Sequence, residues 1–184
     1  MAQQPHKFRS TTRGFTLIEI IVGLVAISAS FVILTVIIFP QAQRSAEPIL
    51  QIRASALGQA FLDEIMGRSF DENSDRVGGE IRCGEAGTTC TLTADFGPDG
   101  SETRPNFNDV DDFHELHLST GIEDALGTDL GALYSNFSYA IDVCYSNAQG
   151  ECQGGAITNY KRILVTITTP FGQDFTFSGI RGNF

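Results

Sequence analysis

Tryptophan is absent from this 184-residue chain, and beyond Lys7 the only lysine is Lys161. With 12 basic against 22 acidic side chains and a formal net charge of −10, it lacks the basic face that phosphate contacts require. Nucleic acid is therefore not an expected partner. The four tyrosines form no cluster with polar neighbours, which leaves a sugar-binding platform without support. The cysteines lack the Cys-x-x-Cys spacing of redox and zinc sites. No serine lies in a Gly-x-Ser-x-Gly elbow and no other catalytic constellation stands out, so an enzyme is not expected. Internal repeats and low-complexity tracts are missing too.

What is present in quantity is apolar sequence, concentrated near the amino terminus. From Phe15 to Phe39 the chain is long enough to cross a bilayer as a helix, for which about 20 apolar residues suffice. Lys7, Arg9 and Arg13 precede it, an arrangement that keeps the basic end cytoplasmic and sends everything after Phe39 to the other side. One residue breaks the pattern. Glu19 lies inside the run, and a carboxylate at membrane depth costs at least about 2 to 3 kcal/mol unless it finds a partner. A secretory signal would end sooner, after an apolar region of about 7 to 15 residues and a small-x-small site, and apolar residues continue well past Ala26-Ile27-Ser28. A plain anchor would explain the run and leave Gly14 and Glu19 without a role.

Beyond the run, Pro40 removes a backbone donor, so a kink is expected there, with a second at Pro48, and the helix is expected to survive both. Leu50, Ala54, Leu57, Phe61 and Ile65 recur at helical spacing and form an apolar stripe, from which Arg53, Gln59 and Asp63 fall away. Gly67 marks the end of this amphipathic stretch, assigned to residues 40–68. A helix from Phe15 to about Met66 would be on the order of 75 Å long. A domain of about 136 residues cannot bury it, so lipid or other subunits must cover its first half.

From Ser69 to Asp129 the sequence is acidic, glycine-rich and loop-like. Regular patterning then returns. Tyr139, Ile141, Val143 and Tyr145 alternate as a half-buried strand should, and Ile163, Val165 and Ile167 repeat the pattern. Pro170-Phe171-Gly172-Gln173 supplies a turn, and Asp174 to Phe177 a return strand. The expected architecture is α+β, a long amino-terminal helix laid on a carboxy-terminal antiparallel sheet, with residues 69–184 as the globular domain.

Cys83 and Cys90, and Cys144 and Cys152, each bracket a short glycine-containing loop. Four cysteines allow three pairings, and the two local ones are expected because each closes over a short contour in an oxidising compartment. No cofactor is expected. The oxygen-rich stretch Asn106, Asn108, Asp109, Asp111 and Asp112 is the best calcium candidate, ahead of Asp95 to Gly100, which has only the opening of a calcium loop. His114 and His117 lie close to acidic residues, but their spacing in a polar loop reads as solvated surface. The remaining carboxylates are expected to be surface groups that keep the domain soluble.

Arg13-Gly14-Phe15-Thr16-Leu17-Ile18-Glu19 resembles the amino terminus of type IV prepilins and of the pseudopilins of type II secretion. The resemblance implies cleavage by a prepilin peptidase after Gly14, the end of a leader comprising residues 1–14. It also implies methylation of the new amine on Phe15, and pairing of Glu19 with the terminal amine of a neighbouring subunit during assembly. Further motifs, among them Phe70-Asp71-Glu72-Asn73-Ser74-Asp75, Arg82-Cys83-Gly84-Glu85, Asn108-Asp109-Val110-Asp111-Asp112 and Arg181-Gly182-Asn183-Phe184, resemble minor pilins of mannose-sensitive haemagglutinin (MSHA) pili. By that resemblance the chain would sit in the bacterial inner membrane with its carboxy-terminal domain in the periplasm. It would then join a surface pilus with other pilin subunits and the assembly machinery, and contribute to attachment. The leader is long for the family, and the usual proline in the apolar half is replaced by Val36, with Pro40 a turn later. A minor pseudopilin of type II secretion and a membrane-anchored adhesin are the alternatives, separable by genomic neighbours and by binding assays.

Overall fold

The computed structural model describes residues 14–75, 81–85, 87–118 and 121–184, with the side chains of 38–46 left aside. The basic segment holding Lys7, Arg9 and Arg13 lies outside the described residues, as does all of the leader before Gly14. Helix α1 spans Leu17–Met66 and runs unbroken through positions 40 and 48. Four strands follow, β1 (Leu116–Leu118), β2 (Ser138–Tyr145), β3 (Tyr160–Thr168) and β4 (Asp174–Gly182), in an antiparallel sheet of that order. The class is α+β. Two compact units divide within α1, between Glu47 and Pro48.

In the first unit, Leu17–Ile37 is long and apolar enough to cross a membrane, with a mean hydropathy of 2.8, and none of it is buried. Such a stretch must be covered by something beyond the described residues, because apolar surface in water costs about 25 cal/mol per Å². Its hydroxyls are already satisfied. Ser28, Ser30 and Thr35 each donate at 2.8 Å to the carbonyl one turn back, on Leu24, Ala26 and Phe31. In hydrocarbon this matters, since no water is available to take those protons.

The second unit buries the stripe expected from the sequence. Ala54, Leu57, Phe61 and Ile65 are buried and Leu50 is half-buried, with Leu62 buried beside them, while Arg53, Gln59 and Asp63 are exposed. They share one core with the inward residues Tyr139, Ile141, Val143, Ile163, Val165 and Ile167 of β2 and β3. The rings of Phe61 and Tyr139 lie 4.5 Å apart. Close passage against β4 depends on Gly58, where an added Cβ would overlap the ring of Phe177. The helix stops at Met66, where the Gly67 N–H reaches back to the carbonyls of Asp63 and Glu64.

The described part of the segment between helix and sheet is mostly loop, as its composition suggests, with single-turn 3-10 helices at Thr93–Asp95, Arg104–Asn106 and Asp111–Phe113. One arginine ties it to the helix. Arg104 pairs with Glu64 through both guanidinium nitrogens, Nη2 to Oε2 at 2.6 Å, and lies 4.8 Å from the ring centre of Phe113. Paired and stacked in this way, the loop gains a fixed seat on α1. The turn at Thr169–Gln173 joins β3 to β4 as expected, with the Thr169 N–H donating to the Gln173 carbonyl at 2.9 Å.

Candidate functional site

The first candidate lies at the start of α1. Thr16 caps the helix, its carbonyl accepting from the N–H groups of Glu19 at 3.1 Å and Ile20 at 3.3 Å, and its Oγ1 accepting from Glu19 N–H at 3.4 Å. Thr-x-x-Glu is the capping-box pattern, and Glu19 in the first turn also meets the positive end of the helix dipole. Gly14, Phe15 and Glu19 are all exposed, Phe15 at 79%. Among the described residues the Glu19 carboxylate meets no partner. It is the only ionisable side chain between Leu17 and Ile37.

The second candidate was not anticipated, and it corrects the reading of the acidic loop as solvated surface. Asp71, Asp109, Asp111 and Asp112 are all buried, at 2% exposure or less. Their burial follows from local backbone geometry. A parallel bridge joins Ser69 to Asp109, with the Ser69 N–H donating to the Asn108 carbonyl and the Val110 N–H to the Ser69 carbonyl, both at 3.1 Å. Two residues beyond the bridge on each segment stand Asp71 and Asp111. Asp112 Oδ2 accepts the N–H groups of Asn108 and Asp109 at 2.8 and 3.1 Å, and Asp109 Oδ1 accepts those of Asp111 and Asp112 at 2.9 and 3.1 Å.

Lys161 closes this centre from the sheet. It stands on β3 in the inward phase of Ile163, Val165 and Ile167, paired across the ladder with Tyr145, and is completely buried. Its Nζ donates to the Phe70 carbonyl at 2.7 Å, to Asp71 Oδ2 at 3.2 Å and to Asp111 Oδ1. Three rings surround the amine, those of Phe70, Phe96 and Tyr145, with centres 4.5, 4.9 and 5.1 Å away. Asp71 Oδ2 also accepts the Thr91 N–H at 2.9 Å, and its Oδ1 accepts the Asn73 N–H at 3.1 Å. Among the described residues the buried Asp111 Oδ2 has no hydrogen-bond partner.

Burial sets the electrostatics here. Desolvation, with Asp111 and Asp112 nearby, pushes the Asp109 carboxyl up to about 8. Asp111 rises to about 6 because desolvation outweighs the attraction of Lys161. Asp112 also rises, again through desolvation, against the pull of its backbone donors. Tyr145, whose hydroxyl donates to the Thr91 carbonyl at 2.7 Å, is raised for the same reason.

Both expected disulfides are present. Cys83–Cys90 belongs to a small second core with Phe70 and Tyr145, and Cys144–Cys152 staples the loop after β2. The calcium candidates are not gathered round one point. Asn106 is exposed, Asn108 turns to Glu102, Asp109 and Asp112 are occupied by backbone N–H groups, and Asp111 faces Lys161. Among the described residues the one close trio of metal-ligand types is Asp71 with Cys83 and Cys90, whose sulfurs are already joined. His114 and His117 also part company. His114 Nδ1 accepts the Val143 N–H at 3.2 Å while His117 is exposed on β1, and Asp95 and Asp99 are exposed as well.

Comparison of the chain with protein-family models, with curated proteins and with solved structures gives no significant match.

Proposed function

We propose that this chain is a prepilin-type structural subunit, a minor pilin of an MSHA-type IV pilus similar to the one called MshD, anchored in the bacterial inner membrane before assembly. The observation that carries the reading is the helix Leu17–Ile37, uncovered along its length and self-satisfied in its hydroxyls, with one unpartnered carboxylate in its first turn. A lone acid so placed recognises a cation of similar depth. The terminal amine left on Phe15 by cleavage after Gly14 is such a group on a neighbouring copy or on another pilin. Docking the amine against Glu19 turns a desolvation cost into axial register. The amphipathic continuation of the helix, seated on an antiparallel sheet, supplies the head that such a subunit presents outside the membrane.

Coexpression of the full chain with a prepilin peptidase tests the reading. The mature protein is expected to begin at a methylated Phe15, and an amino terminus anywhere else defeats the proposal. Glu19→Ala is expected to be cleaved normally and to be lost from the filament. Undiminished incorporation of that variant removes the pairing mechanism.

A further inference from the structure

The centre around Lys161 has more than a packing role. It brings together a primary amine, a carboxyl group in contact with it, and a second carboxyl group within reach of the same nitrogen, all in an aromatic enclosure closed to water. We propose that Lys161 and Asp111 join spontaneously in an intramolecular isopeptide bond, Nζ to Cγ, with Asp71 as the proton carrier.

Three observations favour condensation over a lasting ion pair. Lys161 and Asp71 are completely buried, and the Asp111 side chain is 3% exposed. An ammonium between two carboxylates there leaves one negative charge uncompensated, in a setting where even a matched pair is costly to desolvate. Asp111 Oδ2 has no donor among the described residues, a heavy penalty for an ionised oxygen and a smaller one for an amide carbonyl. The rings of Phe70, Phe96 and Tyr145 exclude the water that would drive the bond back to acid and amine. The upward displacement of Asp111 toward its neutral form is in keeping with this, since a neutral carboxyl is the electrophile the amine needs.

The balance is simple. Proton transfer within the Lys161–Asp111 pair gives a neutral amine and a carboxylic acid. The Nζ lone pair attacks Cγ, and Asp71 Oδ2, 3.2 Å from Nζ, takes a proton from the nitrogen and passes it to the departing hydroxyl. A Cγ–O bond breaks, one water leaves, and Asp71 returns to its starting state. Neither oxidant nor cofactor takes part. The amide N–H retains the Phe70 carbonyl, 2.7 Å away, as its acceptor. The product ties β3 to the 3-10 turn at Asp111–Phe113, 50 residues earlier in the chain, and so pins the loop-rich segment to the sheet. This inference is independent of the pilin reading and survives its failure.

Mass spectrometry on the full chain, purified in detergent, reduced and denatured, decides it. Peptide mapping is expected to find a branched peptide joining Lys161 to Asp111, lighter by one water than the two linear peptides together. Lys161→Met and Asp111→Ala are each expected to give only linear peptides, and Asp71→Asn to leave a fraction of chains unjoined that shrinks over time. Linear peptides alone from the unaltered chain overturn the proposal, whatever the variants do. A branch from Lys161 to Asp71 overturns the assignment of Asp111.

Discussion

The two units break opposite rules. From Leu17 to Ile37 apolar side chains are exposed among the described residues, whereas the unit beginning at Pro48 takes four aspartates and a lysine inside. The first arrangement is stable only in a surrounding that replaces water, which is why its one carboxylate is so conspicuous. The second depends on backbone N–H groups that meet Asp71, Asp109 and Asp112 and on Lys161, which faces Asp71 and Asp111. One unit is completed from outside, the other from within.

The largest effects should come from removing a charge that the interior depends on. Lys161→Met leaves Asp71 and Asp111 buried without the nitrogen that faces them both, and is expected to cost at least about 3 to 5 kcal/mol, read as a fall in the denaturation midpoint of the domain. A midpoint near that of the unaltered protein would mean that the backbone donors alone support the carboxylates. The converse change puts a charge where the other unit has none. Val25→Arg, at an exposed position of the apolar run, should cost about 2.5 to 3.5 kcal/mol of membrane insertion and shift the chain toward the soluble fraction. Gly58→Ala tests packing with no charge involved. The new methyl meets the ring of Phe177, and the expected loss is about 1 to 3 kcal/mol, with no change in membrane partition.

The subtlest prediction concerns pH. Asp109 holds its proton in the folded domain up to about 8, whereas an ordinary aspartate loses it near 3.8. The folded state therefore binds more protons between those values, and stability should decline as pH rises from about 4 to about 8 and be flat below that window. Asp109→Asn keeps an oxygen for the N–H groups of Asp111 and Asp112 and removes the ionisation. Thermal midpoints of the variant should exceed those of the unaltered protein at pH 8 and match them near pH 4. An equal offset at both values would show that the charge of Asp109 is not the cause.

Local pattern made much of this visible in advance. The stripe from Leu50 to Ile65, the alternation in β2 and β3, the turn at Pro170 and the short-range disulfides all depend on neighbours in sequence. Strand β1 has three residues, too few to show a period, and it is not buried. The buried aspartates escaped notice for another reason. Read as composition, the loop from Asn106 to Asp112 is soluble surface, and what draws it inward is a lysine 50 residues away and a bridge to Ser69. One signal was legible: Lys161 falls in the same phase of β3 as Ile163, Val165 and Ile167, so the alternation already placed it inside. At the amino terminus the motif spoke for pairing of Glu19, and the structure adds the local capping by Thr16 that shares the same residues.

Asn183 illustrates how far apart in the chain the parts of one contact can lie. Its Nδ2 donates to the Cys83 carbonyl at 3.0 Å and its Oδ1 accepts from Ser74 Oγ at 3.3 Å, so it holds a loop made 100 residues before it. Because synthesis runs from the amino terminus, the Cys83–Cys90 link has its partners long before Asn183 exists, and Asp71 and Asp111 wait for Lys161 in the same way. Until then their carboxylates have to remain in water. The order of manufacture thus lets the staple be available before the charges at Asp71 and Asp111 can be buried.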